Sequence, residues 1–294
     1  MAAASTNSPG IGAAATEVPA SAHREDSPRR TTVHVITDLD GPGQIPTRPS
    51  GCRLIASVDV EWSKNYQIKD GNRAFCYSIV WIAVPVSDTA VRVDGGLPFW
   101  STSLYLDRDD ERPDLIEAAA ADIGAACENA DLIVGHQLCS DLAVLSANAG
   151  PAVPAALTAA RQAWRDRRSD SGSQRVIDTR YDAGHVLAQT SRRLVDVCGE
   201  LNLDVTQPEL ARASMTALHR DWLHRSDVQA RERVTVLNLR HSLSTAYVAL
   251  RAVGYLSWRA PLNVNANLAT QWAGRVGWLE HPTFRDLLGE GASK

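Results

Sequence analysis

Residues 53–62 read RLIASVDVEW, and the fold turns on whether they form a strand. The stretch is rich in aliphatic and β-branched residues, which marks a strand rather than a helix. A strand period of two places Asp59 and Glu61 on the same face of the sheet. Two neighbouring carboxylates on an otherwise apolar strand repel each other and are costly to desolvate, so they need full solvent exposure or a compensating cation. A divalent metal, which favours hard oxygen ligands, is such a cation.

Working outward, the turn signal KDGN (69–72) leads into FCYSIVWIAVPV (75–86), a longer apolar run of strand character. FWSTSLYL (99–106) alternates loosely and makes a third strand, so the three predict a meander. In DDERPDLIEAAAADIGAACENA (109–130), Asp110 can cap and Pro113 lies in the first turn. Leu115, Ile116, Ala119, Ile123, Ala126 and Cys127 then recur at helical spacing. DLIVGH (131–136) reads as a short buried strand running into a helix through QLCSDLAVLSAN. A helical segment at 154–168 precedes a fifth strand, RVIDT (175–179). Beyond it the pattern is nearly all helical, with segments opening at Thr190 or Ser191, at Pro208, and over about 227 to 255. Three sequential strands followed by alternation predict an α/β protein whose mixed β-sheet is flanked by helices.

The chain has 294 residues, 44% of them hydrophobic, which is enough to bury one full core. Residues 1–30 are rich in Ala, Ser and Pro and contain no aromatic residue, so a disordered head is expected. Residues 31–52 are expected to be a linker, with a possible strand at TVHVI (32–36). The main domain is placed at 53–255 and a helical C-terminal extension at 256–294, where Trp272 and Trp278 pack on the core or on a partner. A net charge of −4 provides no global basic field for a nucleic-acid polymer, although a metal-dependent site brings positive charge of its own. The five cysteines are scattered and odd in number, which suggests neither a zinc cluster nor a disulfide framework. No apolar run approaches the roughly 20 residues that cross a bilayer, and no signal-peptide core is present. A soluble, cytoplasmic protein with no membrane partner is the expectation.

A second acid stands out in GHQLCSDLAVL (135–145). Asp141 falls among Leu138, Leu142 and Leu145 on the apolar face of its helix, so it needs a partner. The alternative is that it caps the helix or pairs with a surface arginine.

These segments resemble the DEDD 3′-to-5′ exonucleases over roughly residues 53–255. Their first motif, D-x-E on the first strand, is matched at Asp59 and Glu61. Their second has a small residue, His and a polar residue ahead of an Asp five positions after the His. It is matched by Gly135, His136 and Asp141, with Gln137 where Asn is usual. An I-D-T strand commonly follows, and RVIDT looks like it. The third motif, in the branch with a catalytic histidine, is H-x4-D at the start of a late helix. HSLSTA supplies His241 and puts Ala246 where the acid belongs. The branch that uses Tyr-x3-Asp fits no better, because Arg251 lies four residues beyond Tyr247.

The resemblance implies a ribonuclease H-like fold and two divalent ions, Mg2+ or Mn2+. Asp59 would touch both ions, Glu61 one and Asp141 the other. His241 would be the general base on the attacking water, placed at the helix entrance with Asn238 as a possible cap; His136 would be structural. Read without the family, His241 caps the helix or bonds a backbone carbonyl. Ala246 cannot bind metal, and losing roughly 4 kcal/mol of metal-borne stabilisation costs about a thousandfold in rate. The alanine is open to three readings: a deliberate substitution, natural loss of activity with retained binding, or replacement of the ligand by water or another acid.

The implied substrate is the 3′ end of single-stranded DNA or RNA, and no motif separates the two because discrimination rests on the sugar 2′-OH. Trp62 either stacks on a terminal base or packs at the sheet edge. The rival reading is a catalytically degenerate nuclease fold serving as a nucleic-acid-binding or scaffold module.

Overall fold

The computed structural model describes residues 33–64, 71–169 and 175–288. The head expected at 1–30 lies outside them. The described residues form one compact unit.

Its centre is a six-stranded sheet. The strands are β1 (His34–Thr37), β2 (Cys52–Ser63), β3 (Arg73–Pro85), β4 (Phe99–Tyr105), β5 (Leu132–Gly135) and β6 (Val176–Asp178). They lie in the order β1-β4-β3-β2-β5-β6. The meander β2-β3-β4 is antiparallel as expected, and β1 adds to it antiparallel at the outer edge. β5 and β6 run parallel to β2, so the sheet is mixed. β2 therefore sits centrally, with hydrogen-bonded neighbours on both sides.

Alternation along β2 divides its side chains between two cores. Leu54, Ala56, Val58 and Val60 enter one cluster, against α1 (Arg112–Asn129), α2 (Leu138–Asn148) and α3 (Ala155–Asp166). Ile55 enters the other, and by the strand period Ser57, Asp59 and Glu61 share its face. That second face is covered by α4 (Leu194–Glu200), by the long α6 (Val228–Ala252) and by the C-terminal residues. Each large aliphatic side chain so buried, such as Ile55 or Leu243, stabilises the fold by roughly 1.5–3 kcal/mol.

The region after β6 departs from the expected run of helices. Ser191 donates to Asp196 at 2.6 Å ahead of the helix, and α4 opens only at Leu194. Pro208 begins a single 3-10 turn, while the helix proper, α5 (Met215–Arg225), starts behind Ser214, whose side chain accepts from Ala217 N. Asn202 has a left-handed backbone (φ 58°), which turns the chain out of α4 so that Leu203–Asp204 pairs in parallel with Leu262–Asn263. The extension beyond 255 thus contains strand as well as helix, including α7 (Val264–Gln271). Its tryptophans pack on the core: Trp272 Nε1 donates to Ser101 Oγ and Trp278 Nε1 to Glu209 Oε1, each at 2.8 Å.

α6 is capped by Asp227, which accepts from Ala230 N at 3.1 Å, and runs unbroken for 25 residues. His241 consequently lies in its interior rather than at its entrance, and Asn238 is no cap. All five cysteines are free. Among the described residues no helix is long and apolar enough to cross a membrane.

Candidate metal centre

Asp59 and Glu61 project from β2 beneath the middle of α6, with Ser78 and Cys76 as their antiparallel neighbours on β3. Across from them α6 presents three polar side chains, Asn238, His241 and Ser242, three and four residues apart and so on one face. Asn238 Nδ2 donates to Asp59 Oδ2 at 2.6 Å, Cys76 Sγ donates to Asn238 Oδ1 at 3.5 Å, and the hydroxyls of Ser242 and Ser78 are 2.7 Å apart. His241 Nδ1 stands 3.0 Å from Glu61 Oε1 and 3.6 Å from Asp59 Oδ2. One ligand atom from each of Asp59, Glu61 and His241 lies within 4.8 Å of the others, a set compact enough to hold a metal ion.

Asp141 reaches the same neighbourhood from α2, the helix that follows β5. The turn that delivers it is tight: a Cβ at Gly135 would meet Leu138 Cβ at 2.7 Å, so only glycine fits. Gln137 takes a left-handed backbone (φ 67°), a conformation that asparagine tolerates better than glutamine. Asp178, in the I-D-T strand, fixes this turn by accepting from Gln137 N and from Trp164 Nε1, both at 2.8 Å. Asp141 is buried, and its Oδ2 has no hydrogen-bond partner among the described residues. Burial first, then the charges of Asp59, Glu61 and Asp178, push its carboxyl well above the usual range. It stands beside the Asp59, Glu61 and His241 set rather than within it.

The charges explain how these groups coexist. Burial, followed by the Asp59 charge, raises Glu61 to about 7. Burial alone would lower His241, but hydrogen bonds to Asp59 and Glu61 and their charges override it and hold the ring at about 10. The imidazolium so favoured is the counter-ion of the acidic pair. Its far nitrogen, Nε2, lies 2.9 Å from Gln207 Nε2. With the ring neutral the amide donates to Nε2, and with the ring doubly protonated the amide turns to offer its oxygen.

His136 holds structure, as expected. Its Nδ1 lies 2.9 Å from Thr179 Oγ1 and its Nε2 2.9 Å from the Arg192 carbonyl, and burial lowers its pKa to about 4. Trp62 follows a bulge between Glu61 and Trp62 and is half-buried on the α1–α3 side. It both packs and lines an open groove of about 420 Å³ together with Lys64, Asn72, Gln137, Ser140 and Val144. Ala246 is fully buried in the apolar cluster under α6. Five residues along a continuous helix is about 140° of rotation, so its methyl is turned well away from the face that carries His241.

Asn238, expected only as a possible cap, and Gln207 are site residues whose roles the sequence did not disclose. The period of Asn238, His241 and Ser242 was the available signal for the first, whereas Gln207 is joined to the site only by the tertiary fold.

The residues present fit a divalent cation. Two carboxylates and an imidazole nitrogen converge, and beside them is a buried carboxylate oxygen with nothing donating to it. The chain matches no family model, and no curated protein matches it.

Proposed function

We propose that the chain is a metal-dependent phosphodiester hydrolase of the DEDD exonuclease type, built on a ribonuclease H-like sheet and acting at the 3′ end of a single-stranded nucleic acid. The observation that carries this reading is the meeting of Asp59, Glu61 and His241, with Asp141 alongside, from three distant segments of the chain. The strand order supports it. With edge strand β1 set aside, β2 is central, β3 and β4 follow on one side, and β5 and β6 run parallel on the other. The acids then lie on the central strand and on the helix that follows β5.

Asp59, Glu61 and Asp141 would hold divalent ions such as Mg2+ or Mn2+. A bound ion would polarise the scissile phosphate and stabilise the leaving oxygen. The chain's own groups orient and enclose this centre. Asn238 fixes Asp59, the glycine turn at 135 and Asp178 aim α2, and the cover of α6 limits water. Trp62 and Lys64, on the wall of the adjoining groove, suit a stacked base and a phosphate. Both nitrogens of His241 are engaged, by Glu61 and Gln207, so the general-base role that the resemblance implies requires one contact to open.

With Ala246 facing the apolar core instead of a fourth carboxylate facing the centre, hydrolysis is expected to be slow. A 5′-labelled single strand incubated with Mn2+ or Mg2+ should be shortened stepwise from its 3′ end, and Asp59→Asn should abolish the shortening. Binding of the strand without shortening under either metal would favour the second reading, a nucleic-acid-binding module on a degenerate nuclease fold. Ala246 is the observation behind that alternative.

A further inference from the structure

We infer that His241 is itself a metal ligand, through Nδ1, so that the centre takes a single divalent transition ion, Mn2+, Co2+ or Zn2+, in place of a carboxylate-held magnesium pair. The inference rests on the metal-dependent reading above and names the ion and donor that this chain uses.

Three observations lead there. First, the spacing suits shared coordination. Around an ion with bonds of about 2.1 Å, neighbouring ligand atoms stand about 3.0 Å apart in octahedral geometry and about 3.4 Å apart in tetrahedral geometry. His241 Nδ1 lies 3.0 Å from Glu61 Oε1 and 3.6 Å from Asp59 Oδ2. Second, the donors are braced from behind, as metal ligands commonly are. With Nδ1 on the ion His241 Nε2 carries the proton, and the Gln207 amide, whose nitrogen lies 2.9 Å away, turns to offer it its oxygen, while Asn238 Nδ2 holds Asp59 Oδ2 at 2.6 Å. Third, Asp141 Oδ2 is a buried oxygen with no partner among the described residues, and it stands beside this set where the charges of Asp59 and Glu61 reach it.

The choice of ion follows from the donors. α6 contributes no carboxylate to the centre, because Ala246 faces the apolar cluster, and the donor it does offer is an imidazole nitrogen. A nitrogen donor raises affinity for first-row transition ions, least for manganese and more for cobalt and zinc, whereas magnesium prefers an all-oxygen shell that keeps several waters. Replacing a carboxylate by an imidazole also lowers the negative charge available to hold two dications at once.

The test is titration of the full chain with Mn2+, Co2+ and Mg2+, followed by calorimetry and, for Co2+, by visible absorption. One equivalent of Mn2+ or Co2+ should bind, at least about tenfold more weakly in His241→Ala, with Mg2+ weaker throughout and indifferent to the substitution. In the unaltered protein, Zn2+ should shift the ¹⁵N resonance of His241 Nδ1. Two equivalents of Mg2+, equal affinity in His241→Ala, or an unmoved Nδ1 resonance would overturn the inference. Cleavage supported by Mg2+ with the His241→Ala affinities unchanged would leave the nuclease reading standing and this one fallen. Binding through His241 with no cleavage under any metal would do the reverse.

Discussion

Asp59 and Glu61 were legible because a strand period is local: two residues apart on an apolar strand means one face, whatever the rest of the chain does. Asp141 was legible for a similar reason, as an acid among leucines at helical spacing. Asn238 was misread as a cap because the resemblance sets its histidine at a helix entrance, whereas α6 runs unbroken from Val228. Another buried acid, Asp122, gave no signal in the sequence and yields a test of its own. It lies on α1, accepts from Gly43 N at 2.6 Å through Oδ1, and has an Oδ2 near Tyr77 with no partner among the described residues. Burial raises its pKa from 3.8 to about 7. Between those values the folded state binds more protons than the unfolded one, so stability falls as pH rises through the window and stays lower above it. Asp122→Asn keeps the acceptor for Gly43 and removes the charge. It should raise stability at pH 8 by on the order of 2–4 kcal/mol and leave it nearly unchanged at pH 4, as read by chemical denaturation. Equal effects at both pH values would refute the assignment.

At the scale of elements, α6 carries most of what the sequence could not disclose. Its span was readable from periodicity, but its rotation about its own axis was not, because the packing of Leu239, Leu243 and Val248 against other segments sets that angle. The rotation decides the meaning of Ala246. Ala246→Asp should place an unpaired carboxylate in the apolar cluster, cost roughly 3–5 kcal/mol, and fail to raise hydrolysis. A large gain in rate at unchanged stability would show that α6 turns in solution to bring this position to the acids. The same helix is anchored one residue before His241. Arg240 makes two parallel bonds to Glu209, at 2.7 and 2.8 Å, and a third to Asn265 Oδ1 at 2.6 Å, all in the interior. Removing one partner of such a pair leaves the other charge buried and alone, so Arg240→Ala should lose roughly 3–5 kcal/mol in denaturant unfolding. A loss below about 1 kcal/mol would mean that the pair is not buried as described.

For the whole molecule, the mixed sheet and its helical cover followed from the alternation of apolar runs, which is a coarse and additive signal. The bridge between the C-terminal extension and the rest did not, since Leu203–Asp204 and Leu262–Asn263 are two residues each, too short to register as a pattern. Topology brings the acids together: β2 central, β5 parallel beside it, and α6 laid across the far face. If that convergence exists to hold a divalent cation, diffraction from Mn2+-soaked crystals at the manganese edge tests it most directly. The expected result is one anomalous peak bounded by Asp59, Glu61, Asp141 and His241. A map with no peak there at saturating Mn2+, and with His241 still resting on Glu61, would contradict the account.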